Sequence, residues 1–264
     1  MPRRLVVATF NLHAGMDGYG RRFDVVEACR PLEADVLILE EIFAPAGGVG
    51  QADEIGEALG YRRVELPLAR AWRTIHELPA PPGAGWEPRR PYPRERRALR
   101  VGSYLKTPRS GAGYEEGSWG LAVLTREPVV ASEVIELGRL TRDYTSRAAL
   151  SVTLEGGLRV VAVHMPHLTH GSPVHFHRLQ SALRPLVRGR WHAVLGGDMN
   201  YWGPPLELAL QGWRRAVKAK TWPAWRPRHQ LDHLFVSRDV RAVGGGVVRS
   251  GNSDHLPLRA TIEL

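Results

Sequence analysis

Short apolar runs recur along the chain, and most of them end in polar side chains. They are rich in valine, isoleucine and leucine and too short for helices, so they predict buried strands. These strands are predicted at 5–10, 34–39, 61–66, 119–126, 128–137, 147–154, 158–164, 191–195, 231–237 and 240–248, with a further strand after Pro257. Helical spacing of apolar residues predicts helices at 21–32, at 51–59, around 206–210 and from Ser172 onward, where Pro173 suits the first helical position.

The order of these elements indicates the fold class. Strands outnumber helices, and several consecutive strands are close enough in the chain to form hairpins, such as the pair joined at Gly156-Gly157. A doubly wound parallel sheet would instead alternate each strand with a helix. The sequence therefore predicts an α/β sandwich built from mixed β-sheets.

The strand pattern breaks between residues 67 and 116. Eight of the 20 prolines of the chain lie between Pro67 and Pro108, and arginines are interspersed among them. Because proline lacks the N–H group that helices and sheets use, we expect a basic loop or insertion with little regular structure between Pro79 and Pro93. It is either a mobile surface loop or a functional segment, namely a lid on the substrate side or a contact for nucleic acid.

Composition sets broad limits. The chain has 264 residues and 43% apolar residues, which fits one globular domain over residues 1–264. No apolar run reaches the roughly 18 residues of a membrane span, which argues against integral membrane association. Cys29 is the single cysteine, so an internal disulfide is excluded and a reducing, cytoplasmic location fits. We expect a cytoplasmic monomer.

The charge of the chain favours an anionic partner. The formal net charge is +9, which suits nucleic acid or a phosphorylated molecule, although nearly all of the positive charge is arginine, whose frequency can also reflect genome base composition. Between Glu207 and Asp232 there is no acidic residue, and Trp222 and Trp225 are interleaved with basic residues. These tryptophans could stack on bases or form the wall of a head-group pocket.

The strand predicted at 191–195 is followed by Gly196-Gly197-Asp198-Met199-Asn200. If the strand continues, Asp198 and Asn200 share a face; the same residues also suit a turn. Asp198 can hold a proton or a metal, and Asn200 can donate to or accept from a phosphate oxygen or a water.

Seven short segments at predicted strands and strand ends occur in a fixed order along the chain. Together they resemble the endonuclease/exonuclease/phosphatase superfamily, whose fold is DNase I-like. They are Phe10-Asn11, residues 39–42, residues 120–126, Val163-His164-Met165-Pro166, residues 196–200, residues 231–237 and Ser253-Asp254-His255. The resemblance implies two β-sheets packed face to face with helices outside. It also implies Mg²⁺- or Mn²⁺-dependent hydrolysis of phosphodiester or phosphomonoester bonds.

The resemblance also implies a role for each matching residue. It implies that Glu41 binds the metal, with Asp254 and Asn11 near it, and that Asp232 pairs with His255. His164 matches a histidine beside the phosphate. The site residues implied in this way are Asn11, Glu41, His164, Asp198, Asn200, Asp232, Asp254 and His255. We add four residues as candidates for substrate binding, namely Arg147, His167, Trp202 and Trp222.

Two residues depart from the family pattern. Glu40 replaces the usual glutamine before the metal-binding glutamate, and His13 stands where apurinic-site endonucleases carry an acid. The segment around Trp222 echoes the tryptophan-rich segment of those endonucleases only loosely. The superfamily is therefore indicated, and the DNA-repair subfamily is not.

Phosphodiester hydrolysis needs charge neutralisation and an activated water. A hard divalent ion with carboxylate ligands supplies the first, and Glu41 is the leading candidate ligand. In one mechanism His255 clamps the phosphate and Asp198 activates water; in the other His255 is the base. Five histidines between 164 and 177 raise the possibility of zinc, but the carboxylate and amide set suits Mg²⁺ or Mn²⁺ better. We expect His170, His175 and His177 at the surface or on the substrate side.

Three functions remain open from the sequence. The leading hypothesis is a metal-dependent nuclease that acts on DNA or RNA. The alternative is a phosphodiesterase or phosphatase of small molecules or phospholipids. A nucleic-acid-binding module with a degenerate site is disfavoured, since none of the expected catalytic positions is lost.

Overall fold

The computed structural model describes residues 2–18, 20–75, 99–101, 113–143, 145–167, 170, 172–189 and 191–264. The strands in these ranges are β1 (Arg4–Asn11), β2 (Val36–Pro45), β3 (Arg62–Thr74), β4 (Leu99–Val101), β5 (Tyr114–Thr125), β6 (Val129–Gly138), β7 (Arg147–Leu154), β8 (Arg159–His164), β9 (Ala193–Asp198), β10 (Arg214–Arg215), β11 (Asp232–Val236), β12 (Arg241–Val247) and β13 (Leu258–Glu263). The helices are α1 (Val25–Cys29), α2 (Gln51–Leu59), α3 (Ser172–Arg188) and α4 (Pro204–Ala209), with 3₁₀ turns at His13–Gly15 and Arg30–Leu32.

The strands form two mixed sheets. One sheet has the order β12-β13-β1-β2-β5-β3-β4, and the other has the order β10-β11-β9-β8-β7-β6. Each sheet contains one parallel pair, β1 with β2 and β8 with β9, while the other neighbours are antiparallel. The predicted sandwich of two mixed sheets is confirmed.

The apolar residues of the strands explain why the sheets pack face to face. Their inner faces share one buried cluster that includes Val7, Ile38, Val123, Val160, Val194 and Leu234. Burying each such side chain stabilises the fold by about 1.5–3 kcal/mol. The outer faces carry separate apolar clusters beneath α1 and α2 and beneath α3 and α4. Helices therefore cover both sides of the sandwich.

Both described ends of the insertion expected at 67–116 belong to β-strands. Strand β3 continues through Pro67 to Thr74, because a bulge between Pro67 and Ala69 relieves the missing N–H group of the proline. Strand β5 already begins at Tyr114. Residues 76–98 and 102–112, which include the Pro79–Pro93 stretch, lie outside the described residues.

Two further details differ from the sequence-based elements. The helix expected at 21–32 begins only at Val25, because the Asp24 carboxylate accepts hydrogen bonds from the Val26 and Glu27 N–H groups and caps the helix there. Strands β4 and β10 were not predicted, since three and two residues are too short to show a pattern. No helix in the described ranges is long and apolar enough to cross a membrane.

Sheet topology brings the polar strand ends together. In the two parallel pairs, Asn11 lies opposite Glu40 and His164 lies opposite Asp198. Asn11, His164 and Asp198 end their strands, whereas β2, expected to end before Glu40, continues to Pro45. Strand β11 runs antiparallel to β9, so its first residue, Asp232, also lies opposite Asp198. Because β1 and β9 pack on each other across the sandwich, these ends meet at one edge of the molecule.

Candidate active site

A cavity of about 300 Å³ lies at this edge. Eight of the residues that sequence analysis assigned to the site line it: Glu41, His167, Asp198, Asn200, Trp202, Trp222, Asp254 and His255. Three further residues complete the lining, His13, Leu231 and His229. The acidic, basic and aromatic groups of the cavity therefore come from segments far apart in the sequence.

Asp198 is fixed by a turn at the end of β9. Asn200 has a φ of 47°, outside the strand, and its N–H donates to Asp198 Oδ1 at 2.8 Å. Its Nδ2 donates to Asp198 Oδ2 at 3.2 Å, so the two side chains meet although the strand has ended. Gly197 is required here, since a Cβ would lie 1.9 Å from the Val163 carbonyl oxygen. The turn rather than a continued strand therefore presents Asp198.

Glu41 reaches the cavity through a bulge in β2. Glu40 pairs with Leu121 and Ile42 pairs with Gly120, which leaves Glu41 unpaired with a φ of 53°. Its Oε1 accepts from Asn11 Nδ2 at 3.1 Å and lies 3.7 Å from His164 Nε2. The Asn11 amide also donates to Asp198 Oδ2 at 3.1 Å. Asn11 thus holds two carboxylates side by side.

Glu40 points between the sheets, as the strand alternation predicts. Thr9 Oγ1 donates to its Oε1 at 2.7 Å, while its Oε2 is buried and has no hydrogen-bond partner. Burial, together with the charges of Asp232 and Asp198, raises the pKa of Glu40 well above its usual value. Glu40 therefore lies beneath the cavity and does not line it.

The predicted pairing of Asp232 with His255 is confirmed. His255 Nδ1 lies 2.8 and 3.1 Å from the two Asp232 oxygens, and His255 Nε2 lies 3.8 Å from Asp198 Oδ2. Burial opposes the charged ring, but the negative charges of Asp232, Asp198 and Asp254 outweigh it and raise the pKa of His255 well above its usual value. The geometry therefore favours an imidazolium at neutral pH.

Asp198 and His164, which lie near this pair, have pKa values shifted in opposite directions. Burial raises the pKa of Asp198 to about 7, against the opposing charge of His255. Burial also lowers the pKa of His164 well below its usual value, and the positive charges of Arg147 and His255 act in the same direction. Asp198 can thus exchange a proton near neutral pH, while His164 stays neutral.

Asp254 lines the cavity beside His13. Trp222 Nε1 donates to its Oδ2 at 3.3 Å, and His13 Nδ1 lies 3.3 Å from its Oδ1. Burial favours the neutral acid, but the charges of His13 and His255 and the two hydrogen-bond donors outweigh it and lower the pKa of Asp254. Asp254 therefore stays ionised.

Three aromatic rings stand at the mouth of the cavity. The His229 ring lies between the indoles, with centroids 4.9 Å from Trp202 and 6.4 Å from Trp222. Trp202 is 41% exposed to solvent. Sequence analysis did not identify His229, which is brought here by a β-bridge between Trp222 and His229.

Arg147 lies behind the cavity rather than in its lining. Its guanidinium contacts Asp143 through Nε at 2.7 Å and Nη2 at 3.2 Å, and its Nη1 donates to the His164 carbonyl oxygen at 3.2 Å. Both partners of the ion pair are buried. The contacts make Arg147 a support for the end of β8 and leave its guanidinium engaged away from the cavity.

The remaining histidines divide into buried and exposed residues. His233 turns away from Asp232, since neighbouring side chains alternate along a strand, and its Nε2 lies 3.0 Å from the carbonyl oxygens of Tyr201 and Gln230. The expectation that His175 lies at the surface or on the substrate side is wrong. It is buried, lies outside the lining of the cavity and is bonded to the Gly138 carbonyl oxygen at 2.9 Å, because it falls on the sheet-facing side of α3. His177, two residues on, is exposed.

Two groups of side chains in the described ranges have donor atoms close enough to hold a metal ion. They are Glu41, His164 and Asp198, and Asp198, Asp232 and His255; within each group the donor atoms lie within 4.8 Å of one another. Two of the three donors in each group are carboxylates, which are the ligands that Mg²⁺ and Mn²⁺ prefer. The residues present fit a hard divalent cation.

A model of the endonuclease/exonuclease/phosphatase family matches residues 8–255, nearly the whole chain. The chain therefore belongs to this family, whose members hydrolyse phosphate esters and typically use divalent metals. No curated protein matches the chain in sequence.

Several solved structures share the fold at low identity. An endonuclease/exonuclease/phosphatase from Beutenbergia cavernae DSM 12333 is 21% identical with a TM-score of 0.65, and the match covers 99% of this chain and 72% of that one. The mannosyl-6-phosphatase of Bacteroides thetaiotaomicron VPI-5482 is 15% identical with a TM-score of 0.62, covering 98% and 99%. ANGEL2, a 2′,3′-cyclic phosphatase solved with adenosine-2′,3′-vanadate, is 12% identical with a TM-score of 0.63, covering 100% and 96%.

Proposed function

We propose that this protein is a divalent-metal-dependent phosphodiesterase that acts on nucleic acid. The observation that carries the proposal is the alignment of Asp232, His255 and Asp198 at the cavity, with Nε2 of His255 3.8 Å from Asp198 Oδ2. The pair Asp232 and His255 supplies a positive charge, and Asp198 supplies a proton acceptor. An anionic ester and an attacking water need these two functions together.

Glu41 and Asp254 would hold the metal, with Asn11 fixing the position of Glu41. When bound, the metal supplies positive charge that neutralises the phosphate and polarises the ester bond. The remaining roles belong to the side chains of the chain itself.

Asp198 accepts the proton of the attacking water in this proposal. Its pKa of about 7 leaves a large ionised fraction at neutral pH while keeping the carboxylate basic enough to take a proton. Asn200 and Asn11 hold its oxygens in place. The carboxylate therefore needs little reorganisation before it reacts.

His255 clamps the phosphate rather than acting as base. A ring whose pKa is raised well above its usual value is already protonated near neutral pH and cannot accept another proton. With Nδ1 on Asp232, only Nε2 is directed at the cavity. This supports the mechanism in which the imidazolium binds a phosphate oxygen and Asp198 activates water.

Trp202 and Trp222 support nucleic acid as the substrate class, together with the net charge of +9. An indole that is 41% exposed beside the cavity offers a face on which a base adjoining the scissile phosphate can stack. Stacking is tolerant of sequence, so the proposal is a nuclease with weak base preference. His167 also lines the cavity and is placed to contact the same substrate.

The size of the cavity favours one alternative. About 300 Å³ is at the small end of pockets that hold whole small ligands, which suits a small phosphodiester or phosphomonoester. A substrate panel separates the two candidates: single- and double-stranded DNA, RNA, inositol phosphates and an aryl phosphodiester, each with Mg²⁺ or Mn²⁺ and with EDTA. Turnover of oligonucleotides that weakens steeply with salt supports the nuclease, because phosphate contacts release counterions. Turnover confined to the small esters rejects it.

A further inference from the structure

Thr221 is fully buried and has no role in the proposed reaction, yet it is bonded to the segments that carry Asp232 and His255. Its Oγ1 accepts hydrogen bonds from the N–H groups of Leu231 at 3.1 Å and of Asp232 at 3.2 Å. Its carbonyl oxygen accepts a hydrogen bond from the N–H of Leu256, the neighbour of His255, at 2.9 Å. One residue therefore contacts both the start of β11 and the segment before β13.

The hydroxyl of Thr221 is the group that anchors the start of β11. A hydroxyl oxygen has two acceptor lone pairs, so it can receive both N–H groups at once. Asp232 is the first residue of β11 and is fully buried, and a buried N–H group that loses its acceptor is costly. Valine has nearly the same shape as threonine but no acceptor, so it would release the backbone of Asp232 from this anchor.

The position of the Asp232 backbone decides where the Asp232 carboxylate lies. That carboxylate holds Nδ1 of His255 at 2.8 Å, and Nε2 of the same ring lies 3.8 Å from Asp198 Oδ2. A displacement of about 1 Å can cost about 10²-fold in rate even when the substituted residue is remote from the reacting atoms. Thr221 lies outside the lining of the cavity, so its effect on the reaction passes through Asp232.

The backbone of Thr221 has a separate role at the mouth of the cavity. Its N–H donates to the His229 carbonyl oxygen at 2.9 Å, beside the bridge that joins His229 to Trp222. This bond and the bond from Leu256 use backbone atoms of Thr221, so they do not depend on its side chain. Substitution of the side chain therefore tests the anchor of Asp232 and leaves the aromatic mouth held.

We propose that Thr221 is a positioning residue: its hydroxyl anchors the backbone of Asp232 and thereby directs the His255 ring at the substrate phosphate. The proposal rests on the function proposed above for Asp232 and His255, and it adds the group that orients them. Sequence analysis did not identify Thr221, which lies 11 positions before Asp232.

The first readout is the ¹H NMR signal of the His255 Nδ1–H in the whole protein, without metal or substrate. A ring N–H that donates to a buried carboxylate gives a signal far downfield, and the signal that His255→Ala removes is the one to follow. We expect Thr221→Val to move this signal upfield or abolish it, because the carboxylate moves away from Nδ1. Thr221→Ser keeps the hydroxyl and should keep the signal.

Thr125→Val is the matched control. Thr125 is also fully buried, and its Oγ1 accepts a hydrogen bond from the Glu127 N–H at 3.1 Å. It lies opposite Val36, the first residue of β2, and is therefore remote along the strand from Glu41. The control loses an acceptor of the same kind and should leave the His255 signal unchanged.

Turnover of the best substrate of the panel gives the second readout. Loss of a group that orients a metal ligand typically costs about 10–100-fold in activity, and we expect kcat of Thr221→Val to fall by the same factor. KM should stay close to that of the unmodified protein, because the backbone bonds that hold the aromatic mouth remain. Thr221→Ser and Thr125→Val should leave both constants close to the unmodified values.

The proposal is overturned if Thr221→Val leaves either the His255 signal or kcat unchanged, or if Thr221→Ser behaves like Thr221→Val. It is also overturned if the unmodified protein gives no downfield His255 signal. If Thr221→Val does not fold, Thr221→Cys takes its place, since sulfur is only a weak acceptor. If the signal moves as expected and no phosphate ester is cleaved, the anchor stands and only the proposed function falls.

Discussion

The Asp232 carboxylate holds Nδ1 of His255 at 2.8 and 3.1 Å although the residues lie 23 positions apart, one at the start of β11 and the other in the segment before β13. Both residues are buried, at 0% and 6% exposure. Asp232 thereby fixes which ring nitrogen faces the cavity. The same contact keeps the ring positively charged.

We predict that Asp232→Asn lowers the pKa of His255, because an amide cannot stabilise the imidazolium as a carboxylate does. Turnover at neutral pH should fall by about 10²-fold, the size of a lost proton-handling or clamping function. Titration of the His255 ring by NMR gives the pKa, and initial rates on the best substrate of the panel give the turnover. An unchanged ring pKa in the variant would show that the carboxylate does not set the charge.

His255→Ala should cost at least as much turnover as Asp232→Asn. The double variant should cost far less than the product of the two single effects, because the pair acts as one unit. A double-mutant cycle on turnover measures this coupling. Multiplicative effects would assign the two residues independent roles.

We predict that substitution of Glu41 reduces turnover strongly and that substitution of Glu40 changes it little. Glu41→Gln removes a carboxylate from the cavity and should reduce both Mn²⁺ affinity and turnover, the latter by at least about 10²-fold. Glu40→Gln keeps an acceptor for Thr9 and replaces a buried oxygen without a partner, so turnover should stay within about 10-fold of the unmodified protein. Calorimetry and initial rates check both, with circular dichroism to verify folding. Equal losses in the two variants would contradict the bulge-based assignment.

We predict that Arg147→Lys lowers the free energy of unfolding more than it weakens substrate affinity. Lysine cannot reproduce the two contacts with Asp143 and the bond to the His164 carbonyl oxygen, so it leaves a buried charge poorly paired. The free energy of unfolding in urea should fall by about 3 kcal/mol. A raised KM with unchanged stability would instead restore the substrate-binding role that the sequence suggested.

The buried His233 ring should make stability depend on pH. Burial lowers the pKa of His233 to about 4, below the usual value of about 6.5 that applies in the unfolded chain. The folded state therefore binds fewer protons, so this contribution is complete above pH 6.5 and is lost as the pH falls towards 4. Between pH 7.5 and 5 the loss should be about 2 kcal/mol.

His233→Gln is the matched variant for this measurement. Glutamine keeps an N–H donor for the Tyr201 and Gln230 carbonyl oxygens and does not titrate. Urea unfolding at the two pH values should show a smaller decrease in the variant than in the unmodified protein. Equal decreases would mean that other groups cause the pH dependence.

The sequence by itself determined most of the strands, the mixed sandwich and the set of polar strand ends. Continuous apolar runs can satisfy their hydrogen bonds and bury their side chains only inside a packed sheet, so their places follow from local chemistry. Glu41 was recognised through the family resemblance of residues 39–42, and Asp198 through the polar residues that follow a predicted strand.

Tertiary structure decided what those residues face. The bulge that turns Glu41 to the cavity depends on the pairing of β2 with β5. Asn200 meets Asp198 through a turn that strand alternation does not describe. His229 reaches the cavity through its bridge with Trp222, and Arg147 is held behind the cavity by Asp143 and the His164 carbonyl oxygen. These contacts form only in the folded chain. Backbone pairing between strands fixes these directions, and a one-residue change of register reverses the face to which a side chain points.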